Sequence, residues 1–150
     1  MTEKKVVGWR EAICLPALGV DEVIAKVDTG ARTSALHAYF VEPFTKENGE
    51  EWVRFGLHPI RKQQTPELIV EAKVKDRRKV SDSGGHSEDR YVIETDLLLG
   101  NQTVRAEITL TDRESMAYRM LLGRTALRGH FIVDSDLSYA LSKPQSHQID

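Results

Sequence analysis

One pair of short motifs constrains the fold of this chain more than any other feature of its sequence. An apolar run ends in VDTGA at residues 27–31, and MLLGR follows far along the chain at residues 120–124. In the first motif the aspartate can carry acid–base chemistry, the threonine hydroxyl can lock the loop, and the glycine lets another segment approach closely. Asp-Thr-Gly alone also forms ordinary turns. Its pairing with a distant apolar-apolar-Gly-Arg segment is much more specific.

The remaining pattern predicts a mostly-β fold. An apolar stretch from Val6 is interrupted at Pro16, which suits a strand end, and a strand from Val23 runs into Asp28. Further strands are predicted over residues 34–40, 52–57, 68–74, 91–99, 103–110 and 131–133. A polar, glycine-bearing segment at residues 81–87 forms a hairpin tip, and residues 125–128 form one short helix. Many short strands separated by turns indicate a small barrel or sandwich.

Length and charge narrow the class of protein. The 150 residues fit one domain, which we place over residues 1–141, followed by a loose polar tail over residues 142–150. A formal net charge of -2 argues against a general binder of nucleic acid or membranes. No apolar run approaches the ~20 residues of a membrane helix, and the first residues do not resemble a signal peptide. Cys14 is the single cysteine, which excludes an internal disulfide, so we expect a cytoplasmic protein.

The order of these elements resembles that of a retropepsin-type aspartic protease over most of the chain. A hairpin leads to the Asp-Thr-Gly motif, a long hairpin with Gly84 and Gly85 at its tip lies where that family has its flap, and Leu122-Gly123 precedes a short helix and a last strand. The resemblance implies an all-β fold, a small closed barrel of the acid-protease type with one short helix and a flap hairpin.

Residues 28–38 (DTGARTSALHA) more closely resemble a bacterial and archaeal group labelled putative ATP-dependent zinc proteases. Members of that group accompany glutamate ligases of the ATP-grasp type, which suggests a functional link by analogy. The label does not suit these residues, because the chain has neither a His-Glu-x-x-His zinc motif nor a phosphate-binding Gly-x-x-x-x-Gly-Lys-[Ser/Thr] loop. We therefore expect no cofactor and no metal, and the resemblance implies an aspartic-type endopeptidase.

The resemblance also implies how the site is built. In such a protease two carboxylates share one proton: one takes a proton from water and the other donates to the scissile carbonyl. This chain offers one convincing Asp-Thr-Gly, so we expect a homodimer with Asp28 of both subunits side by side at a two-fold axis. Thr29 is expected to hydrogen-bond across the axis, and Gly30 to permit close approach. The residues expected to support the loop are Leu122, Gly123 and Arg124.

Substrate contacts are expected from the motif and from the flap. The residues are Ala31, Arg32, Gly84, Gly85 and His86. Arg32 departs from the family pattern, because many viral members carry an acidic residue at this place. In those viral members the acidic residue pairs with the arginine of the apolar-Gly-Arg motif. Because Arg32 cannot do so, Arg124 needs another partner. It also suggests that the cleft binds acidic, Glu-rich peptides, because guanidinium groups bind carboxylates through paired hydrogen bonds.

Two other functions stay open at this point. A catalytically silent module would bind a peptide or a partner protein in the same cleft, and a zinc-dependent peptidase would use Asp28 with His37. The five histidines show no spacing typical of metal ligands, so we expect His37 to be a core or pocket histidine. Residues 82–84 (DSG) lack a preceding apolar run and predict a tight turn. The basic segment 75–79 predicts a solvated hairpin surface.

Overall fold

A computed structural model of the protein describes residues 3–81, 84–112 and 117–145. In these ranges the chain is mostly β, with one short α-helix and one 3-10 turn at Pro16–Leu18. The strands are β1 (Lys5–Val7), β2 (Arg10–Leu15), β3 (Val20–Asp28), β4 (Ser34–His37), β5 (Phe40–Thr45), β6 (Glu51–Leu57), β7 (Leu68–Lys73), β8 (Asp76–Ser81), β9 (Ser87–Leu99), β10 (Gln102–Thr111), β11 (Met120–Gly123) and β12 (Phe131–Val133). The helix is α1 (Arg124–Leu127). The prediction of a mostly-β chain with a short helix after Gly123 is confirmed.

Local signals set the ends of the strands that lead to the Asp-Thr-Gly motif. Pro16 follows the last residue of β2 and opens the 3-10 turn, because proline cannot donate to a strand ladder. Gly19 then reverses the chain with φ of 73°, a left-handed conformation that glycine adopts without strain. β3 begins at the next residue, Val20, and ends at Asp28.

The main sheet forms a ring of strands. Its order is β10-β4-β11-β3-β2-β9-β8, and an additional pairing joins β9 to β10. β2 meets β9 through a single register pair, Cys14 with Leu98. Because this seam is so short, we describe the arrangement as a sheet ring rather than as the closed barrel that the sequence suggests. One core cluster joins strands of the ring, with Ile93 and Leu122 fully buried.

Two smaller sheets complete the fold. β5, β6 and β7 form an antiparallel three-stranded sheet between β4 and β8 in the chain, and Phe55 of β6 packs fully buried in the common core. β1 and β12 pair in parallel as a two-stranded sheet. The strand predicted over residues 68–74 is β7, which ends at Lys73, and the next strand, β8, belongs to the main ring.

A buried carboxylate fixes the end of the described chain. Glu11 is fully buried, and its carboxylate accepts backbone N–H bonds from Gly8 at 2.6 Å, Ala140 at 2.9 Å and Ser142 at 2.9 Å. The expected loose tail therefore does not hold for residues 142–145, which these bonds and one from the Gln145 N–H to Glu22 attach to the sheet. Residues 146–150 lie outside the described residues. In the described part of the chain, no helix is long and apolar enough to cross a membrane.

Candidate active site

Strand pairing brings the two sequence motifs together. β3 and β11 run parallel, with Val27 opposite Leu122 and Asp28 opposite Gly123. The Gly123 N–H donates to the Ser34 hydroxyl at 3.0 Å. A Cβ at Gly123 would lie 2.6 Å from the carbonyl carbon of Thr33, closer than non-bonded atoms can approach, so only glycine fits under the loop.

The loop that carries Asp28 is held from both of its ends. Oδ1 of Asp28 accepts the Gly30 N–H at 3.0 Å, and the Asp28 carbonyl accepts the Ala31 N–H at 3.2 Å. Arg124 donates its own N–H to the Ala31 carbonyl at 2.8 Å and its Nη1 to the Gly30 carbonyl at 3.1 Å. Thr125 donates both its N–H and its hydroxyl to the Arg32 carbonyl. The other partner that Arg124 requires is thus a carbonyl of the same loop.

Asp28 faces an open cleft of about 640 Å³. The lining residues are Asp28, Gly30, Ala31, Arg32, Thr33, Ala35, Arg78, Lys79, Val80, Ser81, Arg90, Thr109 and Leu121. Four of these side chains are cationic, and Asp28 is the single carboxylate among them. The described wall therefore combines one acid–base group with a surplus of positive charge. Asp28 itself is half-buried, whereas Thr29 and Gly30 are exposed on the loop.

The long hairpin predicted as a flap is present. β8 and β9 pair in antiparallel register from Asp76–Val92 to Ser81–Ser87. Its described tip residues Gly84, Gly85 and His86 are exposed and do not line the cleft, which the strand residues 78–81 line instead. The predicted turn at residues 82–84 begins with two residues that lie outside the described ones.

A known protein family matches the part of the chain that contains the Asp-Thr-Gly and Leu-Gly-Arg motifs. A sequence model of the retropepsin-like aspartic endopeptidase RimB matches residues 6–144. The chain belongs to this family. The resemblance inferred from the Asp-Thr-Gly and Leu-Gly-Arg motifs is thereby confirmed.

Relatives of this RimB-family chain carry a different name. A probable alpha-L-glutamate ligase of Shewanella pealeana is 45% identical over 147 residues, which make up 98% of this chain and 32% of that protein. A protein of the same name in Parasynechococcus marenigrum is 39% identical over 150 residues, 100% of this chain and 32% of its own. The chain therefore spans about a third of the length of the curated relatives it matches.

A solved structure shares the fold of this RimB-family chain. It is a crystal structure of a Legionella pneumophila protein of unknown function, with 25% sequence identity and a TM-score of 0.76. The match covers 93% of this chain and 99% of that one.

The sequence did not single out three of the cationic residues of the RimB-family cleft. Arg78 and Lys79 belong to the basic segment that we expected to be a solvated surface, and Arg90 lies beyond the flap tip on β9. Lys79 is exposed as expected, although it also lines the cleft. The expectation does not hold for Arg78, which is half-buried and paired with Asp76 and Glu107, while Arg77 is exposed and contacts Glu51 and Tyr91. The sequence signal that separates Arg77 from Arg78 is the alternation of side chains along a flap strand.

His37 lies apart from the candidate site. It is buried and lines a separate small cavity with His58 and Arg119, on whose wall Asp28 does not appear. In the described ranges no group of three or more His, Cys, Asp or Glu side chains is arranged to hold a metal ion. The Cys14 thiol is half-buried, and its burial, with a contribution from Asp21, raises its pKa, which disfavours the reactive thiolate.

A carboxylate behind the flap makes stability depend on pH. Hydrogen bonds from Arg78 and Lys75 lower the pKa of Glu107 from 4.5 to about 2. Because the folded pKa is the lower one, Glu107 stabilises the fold above pH 4.5, and this contribution is lost as the pH falls toward 2.

We expect Glu107→Gln to lower the free energy of unfolding by up to about 1 kcal/mol at neutral pH and to flatten the acid limb of the curve of stability against pH. Urea unfolding of both proteins from neutral to acidic pH measures the effect. Glu42→Gln, at an exposed position, is the control. An acid limb that Glu107→Gln leaves unchanged would contradict the prediction.

Proposed function

We propose that this chain is an aspartic-type endopeptidase that works as a homodimer, in which each subunit supplies one Asp28 to a water-activating pair. The observation that carries the proposal is the position of Asp28. It ends β3 beside Gly123, is fixed by the N–H of Gly30, and faces an open cleft. Membership of the RimB family supports the same chemistry.

The chemistry needs two carboxylates that hold one proton between them. The ionised member accepts a proton from the attacking water, and the protonated member donates to the oxygen of the scissile carbonyl. When the tetrahedral intermediate breaks down, the carboxyl that took the proton from water gives it to the leaving nitrogen, and the other carboxylate takes a proton from a hydroxyl of the intermediate. The C–N bond breaks, an acid and an amine are released, and the pair again holds one proton. Two close carboxylates do not ionise together, and their two apparent pKa values belong to the pair rather than to one residue. The second Asp28 comes from the other subunit.

The exposed tip of the loop supports a two-fold contact at this place. Within the described chain, a Cβ added to Gly30 meets only Oδ1 of Asp28, at 3.3 Å. Apart from this one contact, no described residue of the same subunit accounts for a glycine at this position. A second copy of the loop packed against Gly30 gives the reason, and Thr29 then has a partner across the axis.

The charge of the cleft supports acidic peptides as substrates. Among its described lining residues, Arg32, Arg78, Lys79 and Arg90 are cationic and Asp28 is the one carboxylate. Long-range attraction raises the encounter rate of an anionic peptide, and guanidinium groups bind its carboxylates directly. The β8–β9 hairpin, which forms one wall, is the lid that closes over the bound peptide.

Arg32→Ala tests the charge argument. Arg32 is exposed at the mouth of the cleft, so its removal leaves the core intact. We expect kcat/KM for a Glu-rich peptide to fall about tenfold, in line with the loss of a charged hydrogen bond, and that for a neutral peptide to stay unchanged. Arg128→Ala, which removes an exposed arginine outside the cleft, is the matched control. Equal effects of Arg32→Ala on both peptides would remove acidic specificity from the proposal.

The first experiment on the whole proposal is the solution mass over a range of protein concentrations, followed by a cleavage assay with acidic peptides. A dimer that cleaves supports the proposal. A protein that is monomeric at high concentration leaves each Asp28 without its counterpart and removes the shared pair.

One observation favours a second function. Matched relatives are named probable alpha-L-glutamate ligase, and the region in common is about a third of their length. A catalytically silent module that presents a peptide or docks a ligase fits this arrangement, and it agrees with the functional link to a glutamate ligase that the sequence suggests. Peptide binding that Asp28→Asn leaves unchanged, without any cleavage by the unaltered protein, distinguishes this function from the first.

A further inference from the structure

Arg90 is a buried cation at the wall of the cleft. Its side chain is 9% exposed, and it lines the cleft from the first part of β9, close to the flap tip. Its Nε donates to the carboxylate of Glu88, and its Nη1 donates to the hydroxyl of Thr109 at 3.2 Å. No described residue accepts a hydrogen bond from Nη2. A planar guanidinium fixed on two of its edges is preoriented for a third acceptor.

The strand pairing makes this arginine costly for the fold. Arg90 lies directly opposite Arg78 in the antiparallel register of β8 and β9, so both side chains stand on one face. Like charges in such a cross-strand pair are destabilising. Each arginine is compensated separately, Arg78 by Asp76 and Glu107, and Arg90 by Glu88. Two guanidinium groups side by side on a cleft wall form an arrangement that an additional carboxylate stabilises.

The floor of the cleft connects this pair of arginines to Asp28. Leu121 of β11 is opposite Ala35 of β4, and Ala35 is opposite Thr109 of β10. Three strand spacings separate β3 from β10 along the ring, which is about 14 Å, and Asp28 lies two residues along β3 from the residue opposite Leu121. An extended peptide covers that distance with about four residues. A peptide lying across this floor with its scissile bond at Asp28 brings a nearby side chain to Arg90.

We propose that Arg90 is the specificity-determining residue of this site, and that it binds the carboxylate of one substrate side chain within about four residues of the scissile bond. Glu88 and Thr109 act as positioning residues that orient its guanidinium. This inference rests on the proposed cleavage of acidic peptides. It differs from the role of Arg32, because Arg32 is exposed and attracts acidic peptides in general, whereas Arg90 recognises one position.

The same hydrogen bonds couple this subsite to the catalytic loop. The Thr109 hydroxyl that accepts from Arg90 donates to the Ser34 carbonyl at 3.2 Å, and the Ser34 hydroxyl accepts the N–H of Gly123, the residue opposite Asp28. A carboxylate drawn to Arg90 therefore contacts a network that reaches the base of the Asp-Thr-Gly loop. A purely structural arginine would need only Glu88 and Thr109, and its replacement would change stability without changing which peptide position matters.

The test is a scan of single Glu→Gln replacements in one acidic peptide. Cleavage by the unaltered protein fixes the register of the peptide, and binding of each peptide to the Asp28→Asn protein supplies a readout that does not depend on catalysis. We expect one position near the scissile bond at which Gln weakens binding about tenfold or more. Arg90→Lys keeps the charge beside Glu88 but loses the fork of donors, so the preference at that position should disappear.

Two further variants complete the test. Lys79→Ala removes an exposed cation from the same cleft and should weaken all acidic peptides alike while the preferred position persists. Glu88→Gln keeps a side-chain oxygen that can accept from the Arg90 Nε, so the guanidinium stays oriented, but it removes the competing negative charge. It should therefore strengthen the preference, and it serves equally if Arg90→Lys does not fold.

The outcomes separate this inference from the proposed function. A positional preference that persists in folded Arg90→Lys, or that Glu88→Gln leaves unchanged, overturns the role of Arg90 while acidic specificity stands. Equal binding of all Glu and Gln peptides to the Asp28→Asn protein overturns both. Binding that depends on Arg90 without any cleavage overturns the proposed catalysis and supports the subsite.

Discussion

Asp28→Asn is expected to lower kcat/KM for peptide cleavage by a factor of about 10³ or more, while the protein stays folded and keeps its oligomeric state. Asparagine has the same shape, and its Oδ1 can still accept the Gly30 N–H that fixes the side chain. It can neither take a proton from water nor share one with a second carboxylate. The measurement is kcat/KM on an acidic peptide, with thermal unfolding and solution mass recorded on the same sample.

The chain provides a matched control for this substitution. Oδ1 of Asp134 accepts the N–H of Asp136 at 3.0 Å, the same turn that Asp28 makes with Gly30, and Asp134 is exposed outside the cleft. Asp134→Asn should therefore leave cleavage unchanged. A fully active Asp28→Asn protein would refute the carboxylate pair and leave the membership of the family untouched.

Mixing the unaltered protein with Asp28→Asn tests whether the pair is shared between subunits. After complete exchange in an equimolar mixture, about a quarter of the dimers carry two Asp28 side chains. The mixture should therefore show about a quarter of the activity of the unaltered protein at the same total concentration. If each subunit acts alone, about half should remain. Restricting the comparison to one protein concentration keeps the extent of dimerisation constant.

The sequence predicts the site residues that stand in recognisable local motifs. It does not predict those that meet only through the pairing register of two strands. Asp28 and Gly123 stand in short apolar motifs that end strands, and strand pairing joins them as expected. Arg90 and Thr109 meet because β9 and β10 pair at one register, which no local pattern encodes.

The same distinction explains the errors about surface and tail. The basic segment 75–79 has a single composition, but β8 alternates, and the pleat sends its side chains to two faces. Ser142 is held in place by Glu11, a residue near the other end of the chain whose carboxylate is buried. Such contacts between distant segments follow from the packed core and not from the polarity of the tail.

Gly123→Ala is expected to destabilise each subunit by about 3 kcal/mol or more, because the new methyl group would overlap the backbone of Thr33. The Cβ would lie 2.6 Å from the Thr33 carbonyl carbon and 2.9 Å from the Ser34 nitrogen. Relief requires β4 and β11 to separate, and that breaks the bond from the Gly123 N–H to the Ser34 hydroxyl. Urea unfolding at a fixed protein concentration measures the loss of stability.

Gly30 supplies the contrasting variant. Its Cβ would approach only Oδ1 of Asp28, at 3.3 Å, so Gly30→Val should change the unfolding free energy of the subunit by less than about 1 kcal/mol. The branched side chain would instead obstruct the approach of the second loop, and we expect the dimer to dissociate and cleavage to stop. Sedimentation equilibrium on both variants separates the two roles. A stable, active dimer of Gly30→Val would place this glycine away from the two-fold axis, whereas an unaffected Gly123→Ala would show that the space beneath the loop is not required.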